Sequence, residues 1–355
     1  MRYSKFLGPF FEGRLFKAIR SRSLSLFFVL FLLVAGLFIT GSQYLNSSLN
    51  IPSGDFVLSI SPGSSFSQVA SELAGDGILK KSTWFITYAR ISGAATRIQS
   101  GEYLISKGTT PRTLLRQLIE GRVLLHQFTM IEGQRFSEML VKLRAHPAIH
   151  PSAYSNENIM KEIGKPKLHW EGQFLPDTYS FPRGTSDLQI LTWSHQALEE
   201  RLAKMWEARA PGLILKTPQE ALALGSIIEK ETAMTDERTR ISGVFHRRLE
   251  LGMRLQSDPT VIYGIGESFD GNIRRSDLSR DTPYNTYTRD GLPPTPIGLV
   301  GQASLGAALN PSAGPELYFV ATGLSDGSHR FSVTLEEHNQ AVSEYLERLA
   351  KERDL

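Results

Sequence analysis

An uncharged and largely apolar run, LSLFFVLFLLVAGLFITGSQYL, extends from Leu24 to Leu45 near the start of the chain. A helix of roughly 20 apolar residues spans the hydrocarbon core of a bilayer, so residues 23–45 are predicted to form a transmembrane helix. Residues 46–54, NSSLNIPSG, read as a polar linker. Beyond it the pattern changes to short apolar stretches punctuated by turn residues, and it does so twice. FVLSISPGSSFSQVASEL (56–73) superposes on FTMIEGQRFSEMLVKL (128–143), with Gly63 on Gly133, Phe66 on Phe136 and Leu73 on Leu143. YLISKGTTPRTLL (103–115) superposes on YSFPRGTSDLQIL (179–191), with Tyr103 on Tyr179 and Gly108 on Gly184. Each copy reads as strand, turn, helix, second helical stretch, strand, and a helix opened by Gly-Thr. Two copies are too few for a solenoid, so the pattern predicts a duplicated α+β unit. From about residue 195 the spacing turns helical, and Thr217-Pro218-Gln219-Glu220 is a capping box with proline at the first helical position. Residues 255–310 are rich in Gly, Pro, Tyr and Asn and poor in periodicity, as expected of loops laid over a scaffold.

Charge gives the apolar run a direction. Arg2, Lys5, Arg14, Lys17, Arg20 and Arg22 precede it against the single acid Glu12, and the next cation after Arg22 is Lys80. The basic tail, residues 1–22, is therefore expected in the cytoplasm and the remainder exported. A cleaved signal peptide is the rival reading, but the apolar run exceeds the roughly 7–15 residues usual for one. A chain of 355 residues has room for more than one core. The net charge of +3 and the lack of basic runs interleaved with aromatics argue against nucleic acid. The absence of cysteine excludes thiolate nucleophiles, disulfides and cysteine metal sites. The histidines form no HExxH motif, no G-x-S-x-G elbow is present, and the glycines of GIGESFDG lack the strand and helix of a nucleotide site.

The stretch SIIEKET (226–232) ends the capped helix and carries two carboxylates. At about 100° per residue, Ala221, Leu224, Ile227 and Ile228 define the apolar face, and Glu231 continues it. Glu229 points elsewhere, beside Gly225, Leu222 and Ser226, and residues two apart do not face each other. The two glutamates therefore cannot form a catalytic pair. The small residues Gly225 and Ser226 are expected to leave room for a sugar ring beside Glu229. An apolar wall there would keep its carboxyl protonated near neutrality as a general acid. The bland alternative is a solvated Glu229, with Glu231 paired to Arg238 or Arg240.

SIIEKET is followed by GVFHRRLELGMRLQSDPTVIYG (243–264), TPYNTYTRDGLPPTPIG (282–298), LNP (309–311) and LYFVATG with HRFSVTLEEHN (317–339), and preceded by EGQFLPDTY (171–179). These blocks, in this order and with the N-terminal anchor, closely resemble the YceG-like (MltG) endolytic murein transglycosylases over nearly the whole chain. The resemblance implies cleavage of the MurNAc-β-1,4-GlcNAc bond of peptidoglycan without water, leaving 1,6-anhydro-MurNAc ends. It puts the catalytic glutamate at Glu229. It makes Gln256, Ser257, Asp258, Tyr263, Tyr284, Asn285, Thr286 and Tyr287 candidate substrate-binding residues. Each tyrosine alone reads equally as core packing, and Asp258 as a helix cap through Thr260 or Val261. Thr295 and Gln173-Phe174-Leu175 depart from the family pattern. No metal and no cofactor is implied.

The expected organisation is an α+β protein with a single transmembrane helix (23–45), a linker (46–54), a LysM-like βααβ domain (55–125) and a catalytic domain (126–355). Residues 126–198 of the last repeat the LysM-like pattern. LysM modules bind N-acetylglucosamine-containing glycans. The expected location is the bacterial inner membrane, with the N-terminus cytoplasmic and the catalytic domain periplasmic. Glycan strands and the membrane are the expected partners, with peptidoglycan synthases and penicillin-binding proteins suggested by the resemblance alone. The competing functions are a non-catalytic peptidoglycan-binding scaffold and a hydrolytic muramidase.

Overall fold

The computed structural model describes residues 12–353 except Ser53, so residues 1–11 of the expected cytoplasmic tail lie outside the described residues. The fold mixes helix and sheet and divides into two compact units, Met1–Leu125 and His126–Leu355.

In the first unit, α1 (Glu12–Asn46) contains one stretch, Leu26–Asn46, that is long and apolar enough to cross a membrane. Phe27, Leu30 and Phe38 on it are exposed. An anchor and a signal sequence share this length and composition. The linker expected at 46–54 is not free. Leu49 is buried, its N–H donates to the Thr109 carbonyl (2.8 Å), and Asn50 N–H donates to Ile78 (3.0 Å). Two apolar side chains within a mostly polar stretch, Leu49 and Ile51, tie the segment to the core. The unit continues through β1 (Phe56–Ile60), α2 (Phe66–Gly75), α3 (Ser82–Ile91), β2 (Gly101–Ile105) and α4 (Pro111–Glu120). β1 and β2 pair antiparallel, with Phe56 opposite Ile105. Ser65 and Gln68 cap α2 reciprocally, each side chain bonding the other's N–H. Phe66, Leu73, Phe85, Tyr103 and Leu114 fill the core.

The second stretch of the chain repeats this order through β3 (Leu125–Thr129), α5 (Phe136–Arg144), β4 (Ile149–His150), α6 (Asn156–Glu162), β5 (Thr178–Pro182), β6 (Thr185–Ser186) and α7 (Asp187–Glu207). β3 pairs with β5 as β1 pairs with β2, and a short parallel pairing of β4 with β6 is added. Corresponding positions do corresponding work. Gly63 and Gly133 both take positive φ (+83° and +72°), a conformation that glycine adopts without steric cost. Tyr103 donates to the Gln99 carbonyl (2.8 Å) and Tyr179 to the Leu175 carbonyl (2.9 Å), each reaching four residues back.

The rest of the second unit is α8 (Pro218–Glu231), α9 (Arg238–Glu250), α10 (Asp258–Ile265), α11 (Arg275–Ser279), α12 (Gln302–Leu309), the antiparallel hairpin β7 (Tyr318–Ala321) and β8 (His329–Ser332), and α13 (Leu335–Arg353). Thr217 Oγ1 accepts the Glu220 N–H (3.2 Å), and Pro218 opens α8. Glu220 reaches back to the N–H of Lys216 (2.5 Å), one residue further than a capping box requires. Every residue from Ala221 to Ile228 is buried, because α7, α9, α10 and α12 all pack on α8. A helix covered on all sides has no polar face to read until it ends. Pro259 sits at the start of α10, where a missing N–H costs nothing.

Candidate active site

The small residues before Glu229 are there for packing, and the open space expected beside them is filled. A Cβ on Gly225 would lie 2.9 Å from Val300 Cγ1 and 3.5 Å from the Leu305 Cα, so α12 approaches α8 closely at this point. Ser226 is fully buried; its Oγ donates to the Ala223 carbonyl (2.7 Å) and accepts the Ile297 N–H (2.9 Å). The helix end is thereby stapled to segment 297–301.

That segment delivers a donor to Glu229. Gly301 N–H bonds Glu229 Oε2 at 3.0 Å, and Arg238 Nη2 reaches Oε1 at 3.3 Å. The Glu229 side chain is only 5% exposed and Arg238 only 11%, so this ion pair is largely withdrawn from water. The wall expected to be apolar is thus a charged and hydrogen-bonded one. Arg238 serves Glu229, not Glu231, and Arg240 is taken by Glu316. A second carboxylate stands close by. Glu132, in the turn between β3 and α5, is exposed, and the Glu229 charge adds to partial burial in raising its pKa while Arg238 opposes both. Sequence reasoning missed Glu132, Arg238 as the partner of Glu229, and Gly301.

Glu231 leaves α8 on another side and accepts a hydrogen bond from Ser257 Oγ. Burial pushes its carboxyl up to about 7, with Asp258 adding to the rise and Ser257 and Arg248 opposing it. It lines a cavity of about 560 Å³ together with Arg248, Gln256, Asp258, Tyr287 and His338. Tyr287 donates to Asp258 Oδ1 at 2.6 Å across this wall. Asp258 therefore binds a tyrosine and does not cap through Thr260 or Val261.

The other predicted residues separate into two groups. Asn285, 1% exposed, gives its amide N–H groups to the carbonyls of Asp277, Leu278 and Arg280 and accepts the Tyr287 N–H. Thr286 Oγ1 accepts the Ser257 N–H (3.0 Å) and contacts Thr260 Oγ1 (2.9 Å). Gln256 N–H donates to the Thr286 carbonyl, and Gln256 is the one non-glycine residue with positive φ (51°) among the described residues. These groups lock the 255–258 and 284–287 loops together. Tyr263 and Tyr284 meet edge-on at 4.7 Å. Tyr263 donates to Glu171 Oε2 (3.0 Å), Tyr284 bonds Thr295, and Arg135 lies 5.1 Å over the Tyr263 ring. Burial raises the Glu171 carboxyl to about 7, opposed by the Phe136 N–H and the Tyr263 hydroxyl. Tyr263 faces a cleft of about 710 Å³ shared with Arg135, Glu138, Lys142, Lys230 and Phe269.

The profile described as the YceG-like family matches residues 58–344. The chain belongs to the YceG-like family. Among its relatives, the endolytic murein transglycosylase of Bacillus subtilis (strain 168) is 30% identical over 342 residues, covering 89% of this chain and 91% of that protein. The endolytic murein transglycosylase of Streptococcus pneumoniae serotype 2 is 25% identical over 86% of this chain, which spans 62% of that longer protein. A crystal structure of a yceG-like protein from Listeria monocytogenes aligns with a TM-score of 0.50 and 28% identity, covering 81% of this chain and 99% of that one. The matched span runs through both copies of the repeat and the helices that follow them.

Proposed function

We propose that this chain is an endolytic peptidoglycan lytic transglycosylase with Glu229 as its acid–base catalyst. The observation that carries the reading is a glutamate at the end of a buried helix, nearly withdrawn from solvent and gripped by Arg238 and the Gly301 N–H. It stands where the family resemblance puts the catalytic carboxylate. The relatives' name, endolytic murein transglycosylase, supports the same reading.

In this reaction the Glu229 carboxyl gives its proton to the glycosidic oxygen as the bond from MurNAc C1 to that oxygen breaks. The MurNAc C6 hydroxyl then closes on C1, and its proton returns to the Glu229 carboxylate. The products are a 1,6-anhydro-MurNAc end and a free GlcNAc 4-hydroxyl, with no water consumed. One acid–base group suffices because the nucleophile belongs to the substrate, whereas ordinary glycosidases use two carboxylates. Acid–base assistance of this kind is worth on the order of 10²–10⁴ in rate. Tyr263, Tyr287, Asp258 and Gln256 face the flanking cavities and serve as glycan contacts. Ser257, Asn285, Thr286 and Tyr284 hold the loops that present them. The βααβ part of the first unit acts as a LysM-like glycan-holding element, and α1 anchors the chain in the bacterial inner membrane with the catalytic unit in the periplasm. Strand-synthesising enzymes, penicillin-binding proteins among them, are the partners this location suggests.

The test is mass spectrometry of sacculi digested by the full chain in detergent micelles. Anhydro-muropeptides that vanish with Glu229→Gln support the proposal. Products heavier by one water mean a muramidase, and no products mean a binding scaffold. Full activity in Glu229→Gln removes Glu229 from the chemistry.

A further inference from the structure

A general acid must begin the cycle holding a proton, yet both oxygens of Glu229 face donors, Arg238 and the Gly301 N–H. The fold supplies a neighbouring carboxylate, Glu132. The turn carrying Glu132 is fixed against segment 297–301, with Gly133 N–H donating to the Leu299 carbonyl (2.7 Å) and Leu299 N–H to the Gln134 carbonyl (2.9 Å). Two tight approaches then bring the glutamates together. A Cβ on Gly301 would fall 2.2 Å from Glu132 Oε1, and a Cβ on Gly133 would fall 3.6 Å from Glu229 Cγ. Glu132 and Glu229 thus both lie against Gly301, one at its Cα and one at its N–H. Glu132 has no hydrogen-bond donor of its own among the described residues, and the Nε–H of Arg238 is buried without an acceptor.

The repeat sharpens the point. The first copy keeps the turn glycine, Gly63, with the same left-handed backbone, but the residue before it is Pro62. A Cβ on Gly63 would meet nothing within 4 Å. The turn itself therefore does not require a carboxylate; only the copy that packs beside Glu229 has one.

We propose that Glu132 is a positioning residue for catalysis, its carboxyl held against Gly301 beside that of Glu229 so that its charge acts on Glu229 as the proton passes to the glycosidic oxygen. Two carboxylates in one site disfavour each other's ionised form. Consistent with this, the Glu229 charge contributes to raising the Glu132 pKa, after burial. The charged groups facing the pair are Arg238 from α9 and Lys230 from the end of α8, whose stem lies against Gly133. Both favour ionisation and so set the upper limit of the effect. The proton balance of the proposed reaction is unchanged, because Glu229 still gives one proton to the leaving oxygen and regains one from the C6 hydroxyl.

This inference rests on the transglycosylase reading, and one experiment separates the two. The rate of anhydro-muropeptide formation is followed against pH for the full chain and for Glu132→Gln, Glu132→Asp and Gly301→Ala. Glu132→Gln should move the alkaline limb of the kcat profile down by about one pH unit and cut kcat at neutral pH about tenfold, with KM nearly unchanged. Glu132→Asp, which keeps the charge, should return the limb most of the way to its original position. Gly301→Ala, which pushes the Glu132 carboxylate away while retaining its own N–H, should shift the limb in the same direction as Glu132→Gln. An unshifted limb in Glu132→Gln, whatever its rate, overturns the pair. Should Glu132→Gln fail to fold, an unshifted limb in Gly301→Ala does the same. Absence of anhydro products from the unaltered chain instead removes the underlying function.

Discussion

Ser226→Ala separates the role of Ser226 as a structural staple from that of a spacer beside a sugar site. In the structure its hydroxyl is fully buried and satisfies the Ile297 N–H at 2.9 Å. Removing it leaves that N–H buried without a partner, at a cost of about 1–3 kcal/mol. Alanine recovers about 0.5 kcal/mol through better helix propensity. The expected net loss is about 1.5 kcal/mol, which for a unit the size of His126–Leu355 lowers the melting temperature by roughly 3–6 °C. Because Ile297 begins the segment that brings the Gly301 N–H to Glu229, kcat should fall with stability while KM changes little. The assay is thermal unfolding of the full chain in detergent followed by near-ultraviolet circular dichroism, together with turnover on sacculi. An unchanged melting temperature accompanied by tighter glycan binding would refute the staple and restore the open-space reading.

Glu171 gives a pH test with a definite sign. Its folded pKa of about 7 lies above the ordinary glutamate value of 4.5 because of burial, so the native state holds a proton that the unfolded chain releases. The stability this contributes is complete below about 4.5 and is lost as pH rises through 7. Glu171→Gln should flatten that decline, with stability above pH 8 raised relative to wild type; an unaltered slope between pH 5 and 8 argues against the assignment. Asn285→Ala should cost about 2–4 kcal/mol by stranding three carbonyls and lower the melting temperature more than it changes KM. A large KM effect at unchanged stability would return Asn285 to direct substrate contact.

Much of the architecture was legible along the chain because it depends on local rules. An uncharged run of membrane length, two glycines needing left-handed backbone, and a Thr-Pro helix start each carry their cause within a few residues. The duplicated order of strands and helices followed from those signals, and so did the wheel that sent Glu229 and Glu231 to different sides of α8. What surrounds each glutamate was not legible, since it is set by residues far away in sequence. Gly225 and Ser226 read as space, yet Val300, Leu305 and Ile297 occupy it. Arg238 read as a partner for Glu231, yet the path of the chain after the helix brings it to Glu229. The YNTY block read as a binding motif, yet Asn285 and Thr286 spend their polar atoms on loop backbone. Helix periodicity fixes a direction of projection, while desolvation and pairing depend on which distant surfaces pack there. The tertiary structure alone brought Glu132 and Gly301 to Glu229, because a close approach between segments more than 70 residues apart leaves no period in the sequence.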